Sequence, residues 1–204
     1  MLLMPTFRVN LMFMDRYHHG NLKEVLVRAA FRLVAKSGLD RFTLREVARK
    51  AGVSHNAPYR HFRNKEDLVA ALAAEAFRRL TASLRTAIAY GTNPGEKLRE
   101  AALAYLRFAM ENPSRFQVMF HASFDRTKYP EYISAYEETL ALVEGLVQAC
   151  GWNDTETAAS LIWSSVHGIV ELGLSGRLYN GEARELERLT IVSVEKLITP
   201  AERH

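Results

Sequence analysis

Apolar residues recur along the chain at spacings of three and four positions, with almost no stretch of strict alternation. An α-helix turns once every 3.6 residues, so this spacing gathers apolar side chains on one face, whereas a strand would need a period of two. Leu22, Val25, Leu26, Ala29, Ala30, Leu33 and Val34 follow the helical rule, and Ser37-Gly38 offers a residue suited to the left-handed closing position. Thr43-Leu44-Arg45-Glu46 then reads as a capping box, predicting a second helix that ends near Ala51-Gly52. Ser54 is placed to cap a short third helix to about Phe62, with Pro58 at the edge of its first turn. Asn64 caps a fourth, and Glu66 and Asp67 complement its dipole. The stripe Leu68, Leu72, Ala76, Leu80, Leu84 and Ile88 carries this helix far enough to link the N-terminal region to the rest of the chain.

Beyond Gly91, further starts are marked by Asn93-Pro94, Asn112-Pro113 and Tyr129-Pro130, because proline is well tolerated at the first helical position. Helices are expected at 94–111, 113–122, 130–150, 154–177 and 182–198. The fold class is therefore all-α with about nine helices, a three-helix head joined by a long helix to a helical body. Residues 1–15 are expected to be a flexible extension, 16–63 the head and 64–204 the body. The helix at 154–177 is apolar on nearly every side, through Leu161, Ile162, Trp163, Val166, Ile169, Val170, Leu172 and Leu174, so it must be covered all round. A second copy of the chain would cover what its own fold does not, helped by Leu186, Leu189, Val192 and Leu197. The competing reading is the central helix of a monomeric bundle.

Composition adds limits. At 204 residues, 48% hydrophobic and 25% charged, the chain is an ordinary globular sequence able to bury a core. The first fourteen residues are apolar, but Arg8 interrupts them and they are too short to cross a bilayer, so no membrane partner is expected. They lack the basic start and small-residue cleavage site of a signal peptide, and Met14 is an alternative beginning. The single cysteine, Cys150, cannot form an internal disulfide, which fits a cytoplasmic protein. Charge is unevenly shared: residues 1–70 hold 13 Lys/Arg against 6 Asp/Glu, and residues 71–204 hold 14 against 17. A basic head on a slightly acidic body suits a polyanion partner, since neutralising phosphates supplies most non-specific nucleic-acid affinity.

The helices predicted at Thr43–Lys50 and Ser54–Phe62 are joined by Ala51-Gly52-Val53, the short glycine-containing link of a helix-turn-helix. Such a unit lays its second helix in the major groove and presents its N-terminal side chains to base edges. Ser54, His55, Asn56 and Ala57 occupy those places here. Asn56 suits adenine, His55 a purine edge, and the Ala57 methyl a thymine methyl. Thr43, Tyr59, Arg60, His61 and Lys65 are hydroxyl or cationic groups suited to phosphates, and Arg45 to a base or a phosphate.

The segment TLREVARKAGVSHNAPYRHFRNKEDL resembles the DNA-binding signature of the TetR family of regulators, preceded by YHHGNLKEVLVRAA as its first helix. The resemblance spans about residues 16–70 and implies a three-helix head, a ligand-binding helical body, and a homodimer formed through the last two helices. It implies the phosphate role for Tyr59 and Lys65, and base or backbone contact for Arg45, His55, Asn56 and Ala57. Pro58 departs from the leucine common at this place in the family, which bears on the tilt of the recognition helix. In the body, Trp163-Ser-Ser-Val-His167-Gly168 is similar to the tryptophan–histidine–glycine motif of one class of these domains.

Trp163, His167 and Glu171 share one helical face, so a ring and two titratable groups are expected to line a pocket together, and Phe116, Met119, Phe120 and Phe124 are either core or its wall. Gly168 is expected to permit close helix packing. His18-His19 has no further ligand at metal spacing, so neither a metal nor a cofactor is expected; Arg16–His19 reads as an arm touching DNA. No GxSxG, phosphate-binding glycine loop, HExxH or CxxC is present, and Cys150 has no base partner in sequence, so catalysis ranks last. The expectation is a ligand-responsive regulator, most simply a repressor, that binds a palindromic double-stranded operator as a dimer and is released by a small, mostly apolar effector. The alternative is an all-α ligand-binding or scaffold protein whose basic head does not read DNA sequence.

Overall fold

A computed structural model describes residues 22–198; the expected extension at 1–15 and the arm at Arg16–His19 lie outside the described residues. Eight α-helices follow one another: α1 Leu22–Ser37, α2 Leu44–Ala51, α3 Lys65–Ile88, α4 Pro94–Glu111, α5 Pro113–His121, α6 Pro130–Ala149, α7 Thr155–Leu174 and α8 Ala183–Ile198. No strand occurs among the described residues. Nor is any helix among them long and apolar enough to cross a membrane.

The starts fall where the caps stand. Thr43 Oγ1 accepts from the Glu46 amide at 3.2 Å, while Glu46 Oε2 accepts from the Thr43 amide at 2.9 Å. Asn64 Oδ1 accepts from the Asp67 amide at 2.8 Å, and Asn93 Oδ1 from the Glu96 amide at 3.0 Å. Each bond satisfies one of the amides that a helix leaves open in its first turn. The expected α7 stops at Leu174 rather than 177, because Gly176 takes a φ of +70° and the Arg177 and Leu178 amides close back onto Leu172 O.

One difference matters for function. The third helix expected over Ser54–Phe62 is a single 3-10 turn, Ala57–Arg60, and no side chain caps it. Pro58 has no amide to give to the Ser54 carbonyl, so Ala57 donates to it instead at 2.9 Å and the turn tightens. The count of α-helices among the described residues is accordingly eight and not nine.

Helix α3 is the axis of the molecule, packed against α4, α5 and α6 in the body and against α1 in the head. Leu68, Leu72, Ala76, Leu80 and Leu84, the stripe read from the sequence, are all buried. Within the α3–α6 contact, the Thr81 and Thr139 hydroxyls lie 2.7 Å apart, fully enclosed. Besides α3 itself, side chains tie head to body. Lys23 pairs with Glu131 at 3.1 Å and the Arg115 guanidinium lies 4.0 Å over the Phe31 ring, while the Tyr129 hydroxyl donates to Glu66 and Asp67 in the first turn of α3, where the head joins it. Burial pushes the Arg115 pKa down, and Arg79 adds to the effect; the aromatic face partly replaces the water the cation has lost.

Helices α7 and α8 pack as a pair. Gly173 permits it: a Cβ there would stand 2.6 Å from Leu186 Cδ1, whereas nothing lies within 4 Å of one at Gly168, so the expected packing role belongs to Gly173. On α7, Ile162, Val166, Ile169 and Val170 are buried, but Leu161, Leu172 and Leu174 remain 53%, 45% and 39% exposed. Leu186 of α8 is buried against its own chain, and Leu189, Val192 and Leu197 are half-buried.

Candidate nucleic-acid interface and the aromatic site of the body

The head turns between α2 and the 3-10 segment on Gly52, whose φ of +72° is one that a side chain strains against. Val53 plugs the angle, half-buried against the core. Past this turn Ser54, His55 and Asn56 are exposed, as are Tyr59, Arg60 and His61, and Thr43 and Arg45 stand exposed at the start of α2. Tyr59 keeps 49% of its surface open although its neighbours Pro58 and Phe62 are buried. Ala57 departs from expectation: it is only 8% exposed, so the 3-10 turn withdraws the methyl that the sequence offers to a thymine. Lys65 is held, its Nζ donating to the Asp40 carbonyl at 2.9 Å and lying 4.6 Å above the Phe42 ring. Arg63 is also held, in a two-pronged pair with Asp67 at 2.7 and 3.1 Å. That pair raises the Arg63 pKa and lowers the Asp67 pKa, the guanidinium hydrogen bond being the largest cause of each.

In the body, α4, α5 and α7 bring a second set together. The His167 ring lies 4.6 Å from Phe120 and 5.5 Å from Phe116, centroid to centroid, and Trp163 lies 6.4 Å from Phe120. His167 Nδ1 is 2.7 Å from the hydroxyl of Tyr105, a buried residue of α4 that the sequence reading does not include. Burial raises the Tyr105 pKa, so the phenol keeps its proton. Burial also lowers the His167 pKa, against the opposing pull of Glu171. Glu171 Oε1 lies 2.9 Å from His121 Nε2 and 3.7 Å from His167 Nε2. Phe124, expected with this group, stands apart: its ring partners are Tyr129 and Tyr132, at 5.6 and 5.2 Å.

Behind Tyr105 and Trp163 is an apolar cavity of about 30 Å³, bordered by Leu84 of α3, Leu98 of α4, Val143 of α6 and Ile162 of α7. A space of that size holds about one small group. Among the described residues no cluster of three or more His, Cys, Asp or Glu side chains is arranged to hold a metal ion. Cys150 is half-buried, and burial raises its thiol pKa, which works against a nucleophilic role.

A basic head with a helix-turn-helix, carried on a long helix that runs into an apolar-cored body, defines a DNA-binding protein of the regulator class. Residues 26–72 match the model of bacterial regulatory proteins of the tetR family, and residues 98–197 match that of the tetracyclin repressor-like C-terminal domain. The chain belongs to the TetR family, and it is a DNA-binding transcriptional regulator rather than an enzyme. Among solved structures, a protein of unknown function from Rhodococcus sp. RHA1 is 28% identical, with a TM-score of 0.80 over 93% of this chain and 100% of its own. The fatty acid degradation regulator FadR from Bacillus halodurans is 18% identical, with a TM-score of 0.69 over 89% of this chain and 97% of its own. The TetR family regulator PfmR from Thermus thermophilus is 20% identical, with a TM-score of 0.64 over 88% of this chain and 99% of its own. At these last two identities the likeness is one of fold.

Proposed function

We propose that the protein is a ligand-responsive repressor of the cytoplasm that binds a palindromic operator as a homodimer and is released by a small, mostly apolar effector. The observation that carries this reading is the course of α3. Its first residue, Lys65, touches the loop before α2, and Leu84 near its other end borders the cavity. Whatever repacks the cavity therefore acts on the rod that holds the reading head. The exposed leucines Leu161, Leu172 and Leu174 support pairing of α7, with α8, against the same helices of a second copy. A two-fold dimer presents its heads to successive major grooves, about 34 Å apart, and so asks for a palindrome. DNA and effector then oppose each other by linkage, each favouring a different spacing of the heads.

Of the exposed side chains, Asn56 and His55 are assigned to base edges, and Thr43, Tyr59, Arg60 and His61 to the backbone; Ser54 and Arg45 stand close enough in sequence to serve either. Lys65 serves a phosphate once it exchanges the Asp40 carbonyl for it. The test is selection of bound duplexes from a random pool at near-physiological salt, with Asn56→Ala and Tyr59→Ala in parallel. A two-fold symmetric consensus is expected, altered at one base position by the first change and weakened evenly by the second. Enrichment of asymmetric half-sites alone argues against the dimer, and no enrichment at all argues against sequence reading.

A further inference from the structure

The polar end of the aromatic site is unevenly charged. His167 stands between the Tyr105 hydroxyl, 2.7 Å from its Nδ1, and Glu171 Oε1, 3.7 Å from its Nε2. His121 Nε2 donates to Glu171 Oε1 at 2.9 Å, and among the described residues no lysine or arginine forms an ion pair with that carboxylate. Both contacts fall on Oε1, and Oε2 accepts no hydrogen bond among the described residues. A carboxylate offers about four acceptor positions, so half of this one stands open. The side chain is 34% exposed, and the His167 ring beside it packs against Phe116, Phe120 and Tyr105. Aromatic faces and an open carboxylate favour the same guest, since both attract positive charge.

We propose that this site binds an organic cation, a protonated amine on a compact apolar body, with the ammonium on Glu171 Oε2 and the apolar part turned toward the cavity behind Trp163. The proposal rests on the effector reading above and sharpens it. The cavity of about 30 Å³ is too small for more than the tip of such a molecule, so Trp163 and Phe120, both only half-buried, turn aside to admit the rest. The same geometry discriminates against an organic acid, whose carboxylate would meet Glu171 with no cation between them.

Three probes of one shape and different charge test it: 2-phenylethylamine, 2-phenylethanol and 3-phenylpropionate, titrated calorimetrically into the full-length protein at pH 7. The amine is expected to bind at least about tenfold more tightly than the acid, the scale of one charge-assisted contact. The alcohol is expected to fall between them. Glu171→Gln, similar in shape and able to accept from His121, is expected to abolish the preference while leaving the alcohol unchanged. Equal binding of amine and acid, a preference that survives Glu171→Gln, or no binding of any probe overturns the proposal. Operator affinity measured with each probe separates the two readings. An amine that binds through Glu171 without loosening the operator removes the effector reading alone, and release by the acid or the alcohol but not the amine removes this one alone.

Discussion

His167 shows how one residue combines packing and titration. It is held by a phenol at Nδ1, with Phe116 stacked against its ring and Phe120 set edge-on beside it, in surroundings that oppose its charged form. Its pKa is lowered on folding, chiefly by burial, so the unfolded chain binds a proton there more readily than the folded one. Stability from this source is complete above the ordinary imidazole value of about 6.5 and is lost as pH falls from there through the folded value. Thermal unfolding measured from pH 7.5 to 5 should show a fall in Tm that is smaller in His167→Gln. An identical pH profile in the variant would mean the histidine does not titrate with folding. The i, i+4 relation of His167 to Glu171 is readable in the sequence because helical spacing alone sets it. Tyr105 is not, because its apolar neighbours on α4 give no sign that its hydroxyl meets α7.

At the scale of elements, local chemistry explains what was legible. Starts are announced by Thr43, Asn64 and Asn93, whose side chains bond to amides only three residues away. The recognition segment misleads because its cap-like Ser54 and its Pro58 disagree, and the missing amide outweighs the cap. Contacts between elements are hidden from such reading, and the Thr81–Thr139 pair joining α3 to α6 is the clearest case. Replacing either threonine by valine should cost about 1 kcal/mol, as one buried hydroxyl loses its partner, while the double replacement should cost less than the sum of the two. Urea unfolding of the three variants gives the coupling; strict additivity would show that the pair contributes nothing as a pair.

For the whole molecule, head and body are held by α3 and by a few side-chain ties. The Tyr129 hydroxyl donates to Glu66 at 3.1 Å and Asp67 at 3.2 Å, and its pKa is pushed up to about 12 by burial and by those acids. Tyr129→Phe keeps the ring against Phe124 and deletes only the bond. Amides of α1 and α2 should then exchange with solvent severalfold faster, the effect of about 1 kcal/mol, with α7 and α8 unchanged. Uniform acceleration through all helices would instead place Tyr129 among the determinants of global stability. The sequence shows that a head and a body exist, through the charge split and the long stripe of α3. It does not show how they are fastened, since Lys23 and Glu131 are 108 positions apart.

The hydroxyl pair at Thr81 also marks the point at which α3 is tied to α6 by side-chain hydroxyls. Were α3 to turn about that tie, the fulcrum would lie closer to its cavity end. At 1.5 Å per residue the arm from Thr81 to Lys65 is about 24 Å, while Leu84, at the cavity wall, sits only about 4.5 Å from the pivot on the other side. The mechanical gain is about fivefold. On the proposed effector reading, a side-chain rearrangement that pushes Leu84 by about half an ångström, no more than a thermal displacement, would swing the reading head by about 2.5 Å in the opposite direction. In the proposed symmetric dimer the two swings would add and carry the heads out of step with grooves of fixed spacing.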